Sequence, residues 1–438
     1  MGIKGLPILI KSVAGSAIQS YKFSKFSGMK ISVDASLLIH QTVIAIRGSG
    51  KDMVNKKGQL TSHLHGMFYK ILIFLQNNMV PIFVFDGTAP NIKSKTIEKR
   101  QERRTDAEKK LKKMADSEDD DYIKNFKQTF RPTKENIKEA IILLELMGIP
   151  YIVAPAEADV ILSWLAARCD ENKKPYVNGV CSDDSDMLAL GAPYLFKDML
   201  KFMNMNKPVK VISLKKTLVK MNLTMDQFVN MCSLLGTDYC DNIKGIGPKN
   251  AYKYISKYGT VEKVLQYLNK NKKIDSDDDS NSELDEKSNE QCIISARDYF
   301  LSALTEIDNS KSFVLTDDQL NLRKFQEDAL MDFMCVKHGF DVMRIKTGVE
   351  RLKTYYKTMN VTRENTTKIH KILQPISENY IFTEIADIDF LSSEDEQPMP
   401  SKKTPSKISI KAPIKTPQKI IKKSDSDMSL SDFSTSSK

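Results

Sequence analysis

At 438 residues the chain can bury a sizeable core, and length alone allows two to three domains or one large α/β unit with an unpacked tail. A formal net charge of +10 points to a polyanionic partner, a nucleic acid or an acidic membrane face, because clustered Lys and Arg gain most by displacing counterions there. Cys169, Cys181, Cys232, Cys240, Cys292 and Cys335 form no C-x-x-C pair, which argues against a zinc site and a disulfide framework and for a reducing compartment.

The N-terminal stretch MGIKGLPILIKSVAGSA reads as a first helix. Lys11 breaks its apolar run too early for a signal peptide, and Leu6 stands where a myristoylation signal needs Ser or Thr. No apolar run approaches a membrane span, so a soluble protein that is not secreted and has no membrane partner is expected. KISVDAS then reads as a buried strand ending at Asp34, TSHLHGMFYKILIFLQNN as an amphipathic helix, and PIFVFDG as a second strand ending at Asp86. Residues 92–114 are charged, with few apolar side chains and neither Gly nor Pro, which predicts an exposed helix. KENIKEAIILLELMG predicts a helix stopped by Gly148, IPYIVAPAEAD a strand leading to Glu157 and Asp159, and VNGVCSDDSD a strand leading to Asp183, Asp184 and Asp186. In LLGTDYCDNIKGIGPKNAYKYI, Gly245, Gly247 and Pro248 predict a tight turn between two helices. An acidic, disordered insert is expected over 269–292, a further helical part over 293–356, and a Lys/Ser/Pro-rich tail without packed structure over 357–438. Strand and helix in alternation mean an α/β fold, a mostly parallel central sheet with helices on both faces.

The carboxyl ends of such strands line one crevice, so the four acidic clusters should converge there. A lone Asp after a strand is most often a helix cap or a turn residue. Four clusters are different, because carboxylates that close repel one another unless cations compensate them. An all-oxygen site without His or Cys suits Mg²⁺ or Mn²⁺, and two such ions can activate a water and stabilise the leaving oxygen of a phosphodiester. In the charged helix Lys93 and Arg100 stand seven residues apart, two turns along one face, with Arg103 and Arg104 extending the positive surface. A solvated charged face is the alternative; the helix's start just after Asp86 favours phosphate contact. The turn at Gly245 and Gly247, flanked by Lys244 and Lys249, opens a helix whose backbone N–H groups can hold a phosphate without reading bases.

The strings MGIKGL, VDAS, TSHLHGMFY, VFDGTAP, KRQERR, MGIPYIVAPAEAD, LLGTDYC and IKGIGPK make residues 1 to about 356 closely resemble the flap endonucleases of the XPG-like 5′ nuclease superfamily. The resemblance implies a PIN-like nuclease core over 1–268, carrying a helical arch at 90–130 and a helix-two-turn-helix at 228–262. It implies metal ligands at Asp34, Asp86, Glu157, Asp159, Asp184, Asp186 and Asp238, and puts Lys93 and Arg100 on the scissile phosphate. Gly2 would sit by the active site, and His40, Arg47, Thr61, Lys70 and Gly236 fall at DNA-contacting positions. Cofactors would be two Mg²⁺ ions, replaceable by Mn²⁺, and a monovalent cation at the hairpin near Gly245. The implied activity is cleavage of 5′ flaps near the duplex junction, with 5′ to 3′ exonuclease activity, by a monomer acting in a nucleus or at a viral cytoplasmic replication site. A four-way-junction resolvase, a pure exonuclease and a catalytically silent DNA-binding scaffold are the alternatives. This chain departs from the family in having Asp159 for Glu, His40 for a larger aromatic residue, and Lys56 and Lys57 where eukaryotic members carry an acidic patch. A sliding clamp is a candidate partner without a good motif, since Ser377 in QPISENYI occupies the key apolar place.

Overall fold

Seven strands make one sheet in the order β1-β7-β6-β5-β2-β3-β4: β1 Ile18–Tyr21, β2 Lys30–Asp34, β3 Val80–Phe85, β4 Tyr151–Val153, β5 Val180–Cys181, β6 Tyr194–Lys197 and β7 Val209–Ser213. The computed structural model describes residues 2–88, 94–114, 120–201, 207–243, 245–272, 280–311 and 313–369. Strands β6, β5, β2, β3 and β4 run parallel, and β7 is antiparallel to both β6 and β1. The sheet is therefore mostly parallel, as the alternation of elements predicts, with an antiparallel margin that the sequence pattern does not announce.

The helices are α1 Leu6–Val13, α2 Ala35–Ile46, α3 Ser62–Gln76, α4 Ser94–Lys113, α5 Asp120–Gln128, α6 Lys134–Met147, α7 Ala158–Ala167, α8 Asp186–Ala189, α9 Leu214–Met221, α10 Met225–Leu234, α11 Pro248–Tyr258, α12 Val261–Lys272, α13 Ser280–Asp308, α14 Asp317–Leu320, α15 Glu327–Met331 and α16 Val342–Ile369. Strand β3 shows how they divide. All six of its residues are buried, and alternate side chains go to opposite faces. Ile82 and Val84 join a core built with α1, α7 and α10, while Phe83 and Phe85 join one built with α2, α3 and α6. Burial on both faces is why the parallel strands read as continuous apolar runs.

Local signals act where expected. A capping box between Thr133 and Asn136 opens α6, and Gly148, at φ 70°, closes it in the left-handed conformation that glycine adopts without a Cβ clash. The exposed helix expected over 92–114 is α4. The acidic insert is a partial correction: α12 runs to Lys272 and α13 begins at Ser280, so both ends of 269–292 are helical, and only 273–279 lie outside the described residues. Its second half continues into the apolar face that Ile293, Ala296 and Phe300 bury, so tertiary packing extends a helix into acidic sequence. The tail likewise begins later than 357, because α16 continues to Ile369; the remainder and the Gln374 segment lie outside the described residues.

A buried acid joins the C-terminal part to the second core. Glu139 of α6 lies 3.0 Å from His63 of α3 and 3.8 Å from His338, with all three residues under 9% exposed.

Candidate active site

Strand register assembles the floor of the site. Asp34 is the last residue of β2; Val33 pairs with Cys181 on one side, and Asp34 itself pairs with Val84 on the other. Asp86, two residues past Val84, and Asp184, three past Cys181, therefore emerge at the same edge. Between β2 and β5 the strand order reverses, which is where an open α/β sheet leaves a crevice.

Each carboxylate also has a local bond that sets its angle. Asp34 caps α2, accepting from the backbone N–H of Leu37 at 2.8 Å, and its other oxygen accepts from the Ser182 hydroxyl at 3.4 Å. Asp86 accepts the first N–H of α7, from Ala158, at 3.1 Å. Asp184 Oδ1 accepts the backbone N–H of Asp186 at 3.0 Å. Burial, and then the nearby Asp86 and Asp184 charges, outweigh the capping bond and push the Asp34 carboxyl up to about 7. Gly2 closes this side: at φ +83° it lies so near Asp184 and Asp186 that a Cβ would collide with both carboxylates. Glycine is required there both by backbone conformation and by space.

The third aspartate of the cluster has a different task. Asp183 accepts from Gln41 at 2.7 Å and from the Asp198 N–H at 2.8 Å, and pairs with Lys201 at 2.9 Å, so it ties the β5 end to β6 and α2.

A basic wall adjoins the floor. A cleft of about 740 Å³ is lined both by the carboxylates Asp34, Asp86, Asp159, Asp184 and Asp238 and by Arg100, Arg103, Arg104, Lys127 and Arg131. Arg100 pairs with Asp238, and Lys99 pairs with Asp241 at 2.7 Å, which Lys4 also approaches at 3.2 Å. These bonds hold the start of α4 against the loop after α10. His40 faces the cleft 5.9 Å from the Phe130 ring, and burial, with Arg100 and Arg47 nearby, holds its pKa below the ordinary imidazole range. Phe130, Lys127 and Arg131 carry no motif, and only the fold brings them to the cleft.

A family model for the XPG N-terminal domain matches residues 1–107, and one for the XPG I-region matches residues 148–238. Flap endonuclease 1 of Vanderwaltozyma polyspora is 37% identical over 357 residues, covering 81% of this chain and 88% of that protein. The chain belongs to the flap endonuclease family. The Homo sapiens flap endonuclease 1 is 35% identical over 353 residues, 80% of this chain and 86% of its own length. The solved flap endonuclease-1 from Methanococcus jannaschii superposes with a TM-score of 0.55 at 26% identity, covering 78% of this chain and 97% of that one.

Within this flap endonuclease, several residues expected at the DNA surface are internal. Arg47 is 8% exposed: it holds Asp52 through two bonds of 2.8 and 2.9 Å, donates to Phe126 O and Thr129 Oγ1 at 2.9 Å, and lies 4.3 Å from the Phe126 ring centroid. It clamps the α5 end of the arch to the end of α2. Lys70 is 1% exposed and donates to Met199 O at 2.5 Å, with burial holding its pKa down to about 8. Thr61, 2% exposed, donates to Met53 O at 3.1 Å. The polar ends of all three meet protein groups here, where α2 and α3 are packed. Gly236, at φ +85°, accepts from the Lys4 N–H at 3.0 Å and leaves no room for a Cβ beside Asn242. At the hairpin, Gly245 and Gly247 face open space, Gly247 and Pro248 open α11, and Lys249 is exposed. Lys93 and Lys244 lie outside the described residues.

The donor set fits hard dications, since it is all carboxylate, and the Asp86 and Asp184 charges add to burial in raising Asp34. Among the described residues no group of three closes on one ion-sized position. Asp238 is turned to Arg100, and Glu157, 4% exposed, accepts from Tyr239 at 2.6 Å and Tyr299 at 2.8 Å. Tyr239 stands within the string LLGTDYC, whereas Tyr299 lies in no motif and only the fold brings it to Glu157.

Proposed function

We propose that the cleft cuts 5′ flaps near the junction of single strand and duplex, with 5′ to 3′ exonuclease activity, in DNA replication and repair. The family is one of metal-dependent nucleases. The reading for this chain is two Mg²⁺ ions, for which Mn²⁺ substitutes, held by Asp34, Asp86, Glu157, Asp159, Asp184, Asp186 and Asp238. Bound there, the ions would supply the activation of water and the charge that stabilises the leaving oxygen. The observation that carries the reading is one cleft lined by both clustered carboxylates and clustered basic side chains.

The side chains divide the work. The carboxylates, preset by Leu37, Ala158 and Asp186 N–H groups, keep their oxygens at the cleft floor without reorganising. Arg100, with Lys93 in the same role, attracts the scissile phosphate; pairing with Asp238 holds Arg100 over the floor before substrate arrives. Arg103, Arg104, Lys127 and Arg131 draw in the backbone of the single strand without reading sequence, and His40 offers a ring for stacking on a base. The α10–α11 hairpin, with Lys249 and the glycine turn, holds the duplex through phosphate contacts, and carbonyls near Gly245 would take a monovalent cation there. A monomer acting on branched DNA in the nucleus accords with that division.

The test uses full-length protein on a panel of 5′ flaps, nicks, gaps and four-way junctions. Release of a labelled 5′ flap that requires Mg²⁺ or Mn²⁺ is expected. Cutting without metal would refute the mechanism, preference for four-way junctions would make the protein a resolvase, and no hydrolysis on any substrate would leave a DNA-binding scaffold.

A further inference from the structure

We propose that Tyr299, from the helix α13 that begins inside the acidic insert, is a positioning residue for Glu157: with Tyr239 it holds Oε2 and so sets the angle at which the carboxylate meets a divalent cation. This rests on the reading of Glu157 as a metal ligand given above.

Glu157 stands at the N-cap of α7, yet its side chain makes no capping bond. An acid there usually serves its own helix. Here two hydroxyls reach it instead, and both land on the same atom: Tyr239 Oη donates to Oε2 at 2.6 Å and Tyr299 Oη at 2.8 Å. A carboxylate oxygen has two lone-pair directions, so two short, charge-assisted bonds fill Oε2. The two tyrosines thereby fix the direction in which Glu157 would be presented to a cation.

The hydroxyls are themselves held in place. The Tyr239 and Tyr299 rings lie 4.9 Å apart between centroids, and Phe300 packs edge-on to Tyr239 at 5.4 Å. Cys292 Sγ, about two turns before Phe300 on α13, donates to the Tyr239 carbonyl at 3.1 Å. At its far end α13 is fixed to α7 by Asp308, which accepts from Trp164 Nε1 at 2.7 Å and pairs with Arg168 at 2.8 Å. Helix α13 is thus bonded beside both ends of α7, and Tyr299 bonds it to Glu157. Preset partners of this kind orient a metal ligand and raise its affinity, and their loss typically weakens binding about 10-fold to 100-fold.

A purely structural role would make the tyrosines no more than neutralisers of a buried charge, and the two roles separate by measurement. Tyr299→Phe removes one hydroxyl and keeps the ring. In the full-length protein without DNA, titration with Mn²⁺ followed by electron paramagnetic resonance should show Mn²⁺ bound about tenfold more weakly than in wild type. With flap DNA, turnover should fall at limiting Mg²⁺ and recover at high Mg²⁺, with KM for DNA unchanged. Should Tyr299→Phe not fold, Tyr239→Phe removes the other hydroxyl from the same oxygen and carries the same expectation. Mn²⁺ affinity within twofold of wild type in a folded variant overturns the proposal. Failure of wild type itself to bind Mn²⁺ overturns the reading of Glu157 as a metal ligand, and this proposal with it.

Discussion

Asp34, Asp86 and Asp184 on the floor of the cleft owe their places to the parallel ladder, whereas Arg100 on its wall is held by side-chain bonds that Arg100 and Lys99 make from α4 to the loop after α10. Backbone pairing sets the floor to within a residue, because a slip of one would turn each acid to the other face of its strand. The wall is attached at two places, by Arg47 gripping the α5 side and by Arg100 and Lys99 on the α4 side. One is rigid because many hydrogen bonds share the task; the other can be loosened by one substitution.

Breaking the floor should have the largest effect. Asp184→Ala or Asp238→Ala is expected to lower flap cleavage by on the order of a thousandfold, with flap affinity in a gel-shift assay within about threefold of wild type. A parallel loss of binding would mean that these acids shape the cleft instead of serving the chemistry.

On the wall, Arg47→Met removes a buried guanidinium from Asp52 and from the arch, and should destabilise the protein by about 3 kcal/mol in urea unfolding. If Arg47 served chiefly as a phosphate contact, the salt dependence of DNA binding would change and stability would not.

Lys70 sharpens the same contrast through pH. Burial holds its ammonium at about 8, while the unfolded chain keeps the proton to about pH 10.4. Between those values the unfolded state binds more protons, so this group's contribution to stability rises with pH from about 8 to 10.4. Lys70→Met should therefore stabilise the protein by about 2 kcal/mol at pH 7, and the advantage should shrink as pH passes 8. Thermal unfolding at pH 7 and pH 10 checks this.

The smallest effect belongs to Asp241→Asn. Its ion pairs with Lys4 and Lys99 are exposed, so stability should change by at most about 0.5 kcal/mol and flap turnover by less than about twofold. A larger change in turnover would show that the α4 base must be latched for catalysis.

Much of the floor was legible because its signals are local. VDAS, VFDG, PAEAD and SDDSD each put acid directly after an apolar run, and α/β alternation brings such strand ends together. Asp183, which the implied ligand set omits, stands next to Asp184 yet serves Lys201 and Gln41. The contacts of the wall were less legible. Arg47, Thr61 and Lys70 have the chemistry of DNA-contacting residues, and only helix packing puts them inside. The helix α13 was hidden for the opposite reason, since its acidic first half has the composition of a disordered segment and its apolar second half supplies the packing.

By itself the sequence determined the α/β alternation, the acids at the strand ends and the charged arch helix, because each depends on neighbours within a few residues. The tertiary structure alone decided that Tyr299, 142 positions from Glu157, would share an oxygen with Tyr239, and that Arg47 would face inward. Those outcomes depend on how helices stack across the sheet, and such contacts are fixed by shape and burial over distances that no local pattern records.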